Sequence, residues 1–272
     1  MSRPMWLVGL IKASFPGRRL PARMTRLPLL GTLADRWLFA NDDLLYVPRD
    51  RAVPVNRSLS LPEEAVLPSQ IVDHFIRKAA YHWIMNACLC RDASHCRDYP
   101  VGLGCLFLGK AALDINPQLG RRVSVDDALE HARRCREAGL VHLVGRNKLD
   151  TVWLGVGPGD RLLTICSCCP CCCLWRVLPD IAPQIGRKVS RMPGVTVRVT
   201  NECVGCGLCA ERGVCFVHAV SMKGGQATIG DECRGCGKCV TICPYQAIEL
   251  TMADLHVVDR SIERLSPLVD VT

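Results

Sequence analysis

Cysteine is the residue type in this sequence whose number and spacing point most directly to chemistry. Nineteen of the 272 residues are cysteines, and most of them stand in short clusters. The densest cluster is the segment Cys166–Cys173, CSCCPCCC, with six thiols in eight residues. Thiolates bind iron and zinc, and paired thiols form disulfides. Six adjacent thiols cannot all ligate one cubic cluster, so this segment serves two sites or leaves some thiols free.

A second pattern is an internal repeat in the C-terminal third. Three cysteines, separated from one another by two residues, are followed by a fourth, and the arrangement recurs about thirty residues later. The first copy is Cys203, Cys206, Cys209 and Cys215, and the second is Cys233, Cys236, Cys239 and Cys243. Two-residue gaps let a looping backbone direct three thiolates at three corners of one cluster, and the intervening glycines permit close approach.

Residues 195–252 resemble the bacterial ferredoxin domain with two [4Fe-4S] clusters, because of this duplicated motif and Pro244 after its last cysteine. The resemblance implies a compact α+β module in which each cluster takes its fourth ligand from the other copy. The implied ligand sets are Cys203, Cys206, Cys209 and Cys243 for one cluster, and Cys233, Cys236, Cys239 and Cys215 for the other. The first copy departs from the family, with five residues between Cys209 and Cys215 and with Phe216 in place of proline. We expect a bulged loop with both clusters intact; a pair of zinc sites is the alternative.

The same segment predicts short strands. Val195–Val199 alternates with period two, Ala227–Ile229 and Ala247–Leu250 fit edge strands, and the glycines of Lys223–Gln226 indicate a hairpin turn.

The middle of the chain holds a second cysteine system. A helix is expected from Pro68 onward, running into Cys88. A second helix should open with Ser124 as N-cap and close at Gly139, and a strand over 161–165 should lead into CSCCPCCC. The candidate ligands are Cys88, Cys90, Cys96, Cys105, Cys166, Cys168, Cys169, Cys171, Cys172 and Cys173.

Residues 45–178 resemble a domain often fused to ferredoxin modules in the iron–sulfur proteins of anaerobes. The resemblance rests on a helix ending in C-x-C-R, on a cysteine several residues later, on a GCLFLG-like stretch, on a helix that starts with serine and ends in AGLVH, and on the CSCCPCCC run. The matching residues are Cys88, Cys90, Arg91, Cys96, Cys105, Gly109, Gly139–His142 and Cys166–Cys173. It implies an iron–sulfur redox protein and no particular reaction.

The ten thiols of this domain suit two four-cysteine clusters with two thiols left over. A single unusual cluster with more sulfur ligands, and a zinc or disulfide redox site, are the alternatives. Side chains alternate along an extended segment, so Cys166 and Cys168 should face one way and Cys169 the other. Arg91 and Arg97 either steady the charge of a cluster or are ordinary solvated arginines. Cys135 is expected to be an ordinary helix cysteine.

Charge and composition limit the partners. The formal net charge of +8 counts every cysteine as neutral, and thiolate clusters would cancel most of it. Dense Lys/Arg runs interleaved with aromatics are missing, so no nucleic-acid partner is expected. The apolar run Met5–Ile11 is too short to span a bilayer. A cytoplasmic setting is expected, with membrane association as the alternative.

The expected fold class is α+β, with a helical or mixed cysteine-rich domain followed by a ferredoxin-like two-cluster module. The expected division is a basic, apolar N-terminal arm (1–45), a cysteine-rich iron–sulfur domain (46–190), a 2x[4Fe-4S] ferredoxin domain (191–254) and a C-terminal tail (255–272). The arm would contact an anionic membrane surface or an acidic subunit, or pack over its own domain.

These patterns predict an electron-transfer protein. It would pass single electrons through two [4Fe-4S] clusters in the ferredoxin domain and one or two further iron–sulfur clusters in the cysteine-rich domain. Redox partner proteins in a larger anaerobic complex would exchange those electrons. The alternative is an oxidoreductase that reduces a small molecule or a disulfide at an unusual cluster or dithiol in the cysteine-rich domain. The sequence shows no nucleotide, flavin or acid–base site, which favours electron transfer and leaves open whether the protein is an enzyme.

Overall fold

The computed structural model describes residues 2–50, 67–211 and 213–272, so residues 51–66 of the expected cysteine-rich domain lie outside the described part. The frame of that domain is a sheet of seven strands: β1 Asp43–Val47, β2 His82–Met85, β3 Leu106–Leu108, β4 Gly120–Val123, β5 Val141–Arg146, β6 Leu163–Cys168 and β7 Val189–Arg191. Their order across the sheet is β4-β2-β3-β6-β5-β1-β7. Neighbours are antiparallel except β1 and β7, which are parallel.

The helices are α1 Met5–Ser14, α2 Arg19–Met24, α3 Pro28–Leu38, α4 Gln70–Lys78, α5 Leu89–Ala93, α6 Val125–Glu137, α7 Lys148–Leu154, α8 Pro183–Gly186, α9 Lys238–Ile242 and α10 Val257–Leu265. The prediction for α6 is confirmed at both ends. The Ser124 side chain accepts from the Asp127 backbone N–H, and the Asp127 carboxylate accepts from the Ser124 backbone in return. Gly139, with φ of +79°, follows the last turn.

The predicted long helix into Cys88 is wrong in its second half. Helix α4 ends at Lys78, and β2 then pairs with β3 on one side and β4 on the other. All four residues of β2 are buried, and its aromatic and β-branched side chains suit a central strand, so sheet pairing overrides the helical periodicity. Cys88 therefore caps the start of α5, and the C-x-C-R motif begins a helix instead of ending one.

The ferredoxin module consists of two antiparallel strand pairs. Strand β8 Val195–Val199 pairs with β11 Ile248–Met252, and β9 Val220–Lys223 pairs with β10 Gln226–Ile229. Gly224 and Gly225 connect β9 to β10 with positive φ at both positions, which is the conformation of a tight hairpin turn. The predicted strands and hairpin are confirmed, and the chain has the expected mixture of helices and strands.

Both ends of the chain pack on the cysteine-rich domain. At the N-terminal end, α1 contacts α5 and α7, and α3 contacts α7. At the C-terminal end, α10 contacts α4, and the Arg264 guanidinium forms an ion pair of 2.6 Å with the Asp43 carboxylate. The Ala80 backbone N–H donates to the Val271 carbonyl at 2.9 Å. The C-terminal tail is thus a docked element.

Candidate metal centres

The two copies of the ferredoxin repeat have the same backbone shape around their thiols. Gly205 and Gly207 in the first copy, and Gly235 and Gly237 in the second, all have φ between +64° and +79°. A side chain at Gly205 would place its Cβ 2.0 Å from the carbonyl oxygen of Gly225. Both the left-handed conformation and this close approach require glycine there.

Backbone N–H groups point at the sulfurs of this repeat. The Ala219 N–H donates to Cys215 Sγ at 3.2 Å, and the Ala247 N–H donates to Cys243 Sγ at 3.4 Å. The two pairs are equivalent, since each donor stands four residues after its cysteine. Such donors stabilise thiolates that bind a metal cluster. The residues of the repeat therefore fit the iron–sulfur clusters that the motif implies.

The structure brings the eight predicted ligands together in two groups of four. We call Cys203, Cys206, Cys209 and Cys243 the surface group, because Cys206 is exposed and the four line one small pocket. The inner group is Cys215, Cys233, Cys236 and Cys239, whose thiols interact electrostatically with one another. Each group takes one cysteine from the other copy of the repeat, as the ferredoxin resemblance implies.

Burial keeps several of these thiols protonated in the absence of a metal. It raises the pKa of Cys236 to about 12 and also raises the pKa of Cys209 and Cys239. Neutral thiols accumulate no buried charge, whereas a bound metal displaces the protons and neutralises the thiolates.

Seven thiols of the cysteine-rich domain line a cavity of about 50 Å³. We call six of them the cavity group: Cys88, Cys90, Cys105, Cys166, Cys168 and Cys173; the seventh is Cys169. Neighbouring sulfurs are in contact around the wall, as between Cys105 and Cys166, whose Sγ atoms are 3.8 Å apart. Hydrogen bonds from Cys105 and Cys90 hold the pKa of Cys88 well below its ordinary value. As predicted from strand alternation, Cys166 and Cys168 share one face of β6.

The wall of the cavity also carries a carboxyl group, that of Asp150, beside the strand that holds Cys166. Asp150 accepts hydrogen bonds from Thr164 Oγ1 at 2.9 Å and from Asn147 Nδ2 at 2.7 Å. Burial raises the pKa of Asp150 to about 6, against the opposing effect of these two donors. Asn147 Oδ1 is itself buried and has no hydrogen-bond partner. The cavity thus combines soft sulfur ligands with a group able to hold a proton near neutral pH.

Arg91 is a fully buried cation between the thiols. Its guanidinium donates to the Ser167 carbonyl at 2.7 Å and to the Leu103 carbonyl, while its Nε has no partner. Burial would lower the pKa of Arg91, but nearby cysteines more than offset this and raise it. No carboxylate in the described ranges forms an ion pair with Arg91, so thiolates or the charge of a bound cluster must balance it.

The other four thiols converge on a single point. Cys96, Cys169, Cys171 and Cys172, which we call the tetrad, have all four Sγ atoms within 4.8 Å of one another. The Sγ atoms of Cys96 and Cys171 are 3.6 Å apart. Cys169 also lines the cavity, so it stands between the two sites. The ten thiols therefore divide into six and four, not into two fours with two left over.

Two aromatic rings lie between the cavity and the inner group. Tyr46 on β1 packs against Phe216 with ring centroids 5.5 Å apart, and both are fully buried. Cys168, Cys173, Cys215 and Cys236 pack into the same core. Burial raises the pKa of the Tyr46 phenol, and cysteines of both groups raise it further. Phe216 is the residue that replaces the proline of the ferredoxin motif, so this departure provides the ring contact with Tyr46.

Comparison with known proteins identifies one segment. Residues 229–249, which contain the second copy of the repeat, match the family model of the 4Fe-4S binding domain. This segment is a 4Fe-4S binding domain. The match leaves out the first copy, which contains the longer gap before Cys215. No curated protein and no solved structure matches the chain.

The expectations for Arg91, Arg97 and Cys135 can be compared with how far each side chain is buried. Arg97 is exposed, as an ordinary solvated arginine would be, whereas Arg91 lies against the thiols. Cys135 is buried in α6 and belongs to none of the four groups; its Sγ is 3.6 Å from His131 Nε2.

Tyr46 and Asp150 were not predicted as site residues. A single tyrosine or aspartate in an apolar segment carries no spacing signal, and only the fold places these two beside the cysteines.

Proposed function

We propose that this protein transfers single electrons between a redox partner at the surface group and a centre held by the cavity group. The observation that carries the proposal is the continuous core from the inner group through Phe216 and Tyr46 to the cavity thiols. The surface, inner and cavity groups adjoin one another in that order. A bound iron–sulfur cluster accepts and releases one electron at a time.

The chain's own residues provide the surroundings that such transfer needs. Cysteines of the inner and cavity groups pack against one shared apolar core, which limits the rearrangement around each thiolate when its charge changes. Backbone donors to Cys215 and Cys243 and the buried Arg91 stabilise negative charge at the sulfurs. At the surface group, Cys206 is exposed and stands beside the exposed side chains of Val204 and Tyr245. This face offers a partner protein close access.

Metal and sulfide analysis of the anaerobically purified full-length chain tests the proposal. We expect about four iron and four sulfide for each of the surface, inner and cavity groups. Cys203→Ser should remove one set, and Cys135→Ala, which removes a thiol outside all groups, should remove none. In the reduced protein, electron paramagnetic resonance should show magnetic interaction between neighbouring centres. Iron sufficient for only two clusters, or signals without interaction, would contradict the proposal.

A second candidate function is reduction of a small molecule in the cavity, and Asp150 is the observation that favours it. A carboxyl group with a pKa of about 6 next to Cys166 could supply a proton to a bound oxidant. The cavity also has more thiols than the four that one cube uses. Electron paramagnetic resonance of the reduced protein, with and without small oxidants such as nitrite or a disulfide, separates the two functions. A signal that changes in the wild type and not in Asp150→Asn would favour the enzyme.

We further propose that the N-terminal arm docks on an anionic membrane surface. Each helix of the arm exposes a stripe of apolar side chains, and Trp6, Leu29 and Trp37 are 71%, 82% and 69% exposed. Exposed arginines stand among them: Arg36, and Arg19, Arg23 and Arg26, which also contact Asp180. Tryptophan and leucine beside arginine suit the boundary between headgroups and acyl chains. In the described residues, no helix is long and apolar enough to cross a bilayer.

Sedimentation with lipid vesicles tests the docking proposal. The protein should bind vesicles of an anionic phospholipid and release them at high salt, and it should bind zwitterionic vesicles weakly. Trp37→Ser should weaken binding several-fold. Leu255→Ser, at a residue that is 60% exposed on the opposite end of the chain, is the matched control. Equal loss in both variants, or no binding to either vesicle, would overturn the proposal in favour of a protein subunit.

A further inference from the structure

We propose that the tetrad binds a single zinc or iron ion through four thiolates, and not an iron–sulfur cube. The evidence is the spacing of its sulfurs, all of which lie within 4.8 Å of one another. Four sulfurs about 2.3 Å from one central ion stand about 3.8 Å apart at the corners of a tetrahedron. The separation of 3.6 Å between Cys96 Sγ and Cys171 Sγ matches that spacing. A tetrahedron of four sulfurs is the preferred environment of zinc and of mononuclear iron.

The ferredoxin repeat provides a comparison within the same chain. Each thiolate of a cube binds a different iron, so the sulfurs stand farther apart by the separation of two irons. In neither the surface group nor the inner group do the sulfurs all lie within 4.8 Å of one another. Throughout the described ranges, the tetrad is the single group of histidine, cysteine or acidic side chains with that spacing. The structure therefore distinguishes the tetrad from the groups whose motif implies a cube.

Local backbone structure brings the four sulfurs together. A turn at Pro170 reverses the chain, and the Cys173 N–H donates to the Cys169 carbonyl at 3.3 Å across it. The Cys96 N–H donates to the Arg91 carbonyl at 2.9 Å, which fixes the loop after α5. The ligands thus come from two segments far apart in the chain. A bound ion would cross-link the α5 loop to the end of β6.

Three arginines surround this segment, and each leaves a buried Nε without a hydrogen-bond partner. Arg91 donates to the Ser167 carbonyl, Arg176 to the Cys171 carbonyl at 2.7 Å, and Arg18 to the Cys172 carbonyl at 3.4 Å. Four thiolates around a divalent ion carry a net charge of about −2. Cations with unused, buried donor atoms are expected around such a centre, because its negative charge offsets the cost of burying them.

The position of Cys169 indicates a structural role for an ion bound by the tetrad. This residue belongs to the tetrad and also lines the cavity. An ion in the tetrad would fix this part of the cavity wall, and zinc, which has no redox chemistry, would do so without exchanging electrons with the cavity group. The proposal is independent of the electron-transfer function, since a structural ion is compatible with either function of the cavity.

Metal and sulfide counts on full-length variants test the inference. Cys171→Ala should lose one zinc or one iron per chain, with no change in acid-labile sulfide. Cys135→Ala, which removes a thiol outside the tetrad, should keep the wild-type counts. Loss of about four iron and four sulfide in Cys171→Ala would show a cube instead. Unchanged counts would show that the tetrad binds no metal, and either result would overturn the inference.

Wild-type protein provides a second test that does not depend on the folding of a variant. X-ray absorption at the zinc edge should show one zinc per chain with four sulfurs at about 2.3 Å and no neighbouring metal. If the ion is iron, Mössbauer spectra should contain one mononuclear, sulfur-bound site besides the clusters. Wild-type protein with neither signal would overturn the inference. Failure of the electron-transfer proposal would instead appear as missing sulfide and cluster iron.

Discussion

The ferredoxin module and the cysteine-rich domain both supply cysteine ligands, but they group them in different ways. In the ferredoxin module, eight cysteines at regular intervals form two equivalent groups, and the spacing of glycines and thiols within each copy sets most of the geometry. In the cysteine-rich domain, ten thiols form a group of six and a group of four, although six of the ten are nearly consecutive. Neighbours in the chain, such as Cys168 and Cys169, have their main contacts in different groups.

The difference comes from how each region positions its ligands. Three of the four thiols of a ferredoxin group come from one short loop. The cavity group instead needs β6, the start of α5 and the residue before β3 to meet at one place, and the seven-stranded sheet achieves this. A local motif can be recognised from spacing, whereas a site assembled from distant strands depends on strand order. The predictions below test whether the two regions also differ in what holds them together.

The largest effect is expected where the two regions meet, at Cys236 of the inner group. Cys236→Ala should remove about four iron and four sulfide and should lower the thermal midpoint substantially, since Cys236 packs into the core shared with the cavity. Cys206→Ala in the exposed surface group should remove the same amount of metal with a smaller loss of thermal stability. Metal analysis and thermal unfolding under anaerobic conditions measure both. Equal loss of stability in the two variants would contradict the assignment of Cys236 to an inner group and of Cys206 to a surface group.

The second prediction concerns charge in the cysteine-rich domain. Arg91→Met should destabilise the metal-loaded protein by about 3–5 kcal/mol, because it leaves buried negative charge without its cation. Arg97→Met, six residues along the chain and exposed, should change stability by less than about 0.5 kcal/mol. Denaturant unfolding of both variants, with metal content measured beside it, provides the comparison. If the two substitutions have similar effects, Arg91 does not balance a buried anion.

These two arginines also show which features of the site could be predicted from the sequence and which could not. Both stand one residue after a cysteine, and nothing in their spacing distinguishes them; they differ in that Arg91 is buried and Arg97 is exposed. The repeat, the α6 helix with its Ser124 cap and the β9–β10 hairpin follow local rules and were predicted correctly. Strand β2 was mistaken for helix, because its place between β3 and β4 depends on residues far along the chain.

The third prediction tests the contact between the regions at Tyr46. Its hydroxyl is buried without a hydrogen-bond partner, which costs about 1–3 kcal/mol. Tyr46→Phe should therefore stabilise the protein by about 1 kcal/mol while keeping the ring contact with Phe216. Tyr46→Leu should destabilise it and weaken the magnetic interaction between the inner and cavity centres. A destabilised Tyr46→Phe would instead mean that the hydroxyl bonds to a sulfur of a bound cluster, which a shift in reduction potential would reveal.

The smallest effect is expected where the cysteine-rich domain follows ordinary folding rules. Ser124→Ala removes the capping box of α6 and should cost about 1 kcal/mol. Because the cap lies on the exposed end of the helix and touches none of the thiol groups, the metal content should remain that of the wild type. Ser124→Asp, which keeps an acceptor for the Asp127 N–H, should retain most of the stability. If Ser124→Ala also lost metal, the scaffold and the metal centres of this domain would be more tightly coupled than in the ferredoxin module, where backbone shape and ligands lie in the same loop.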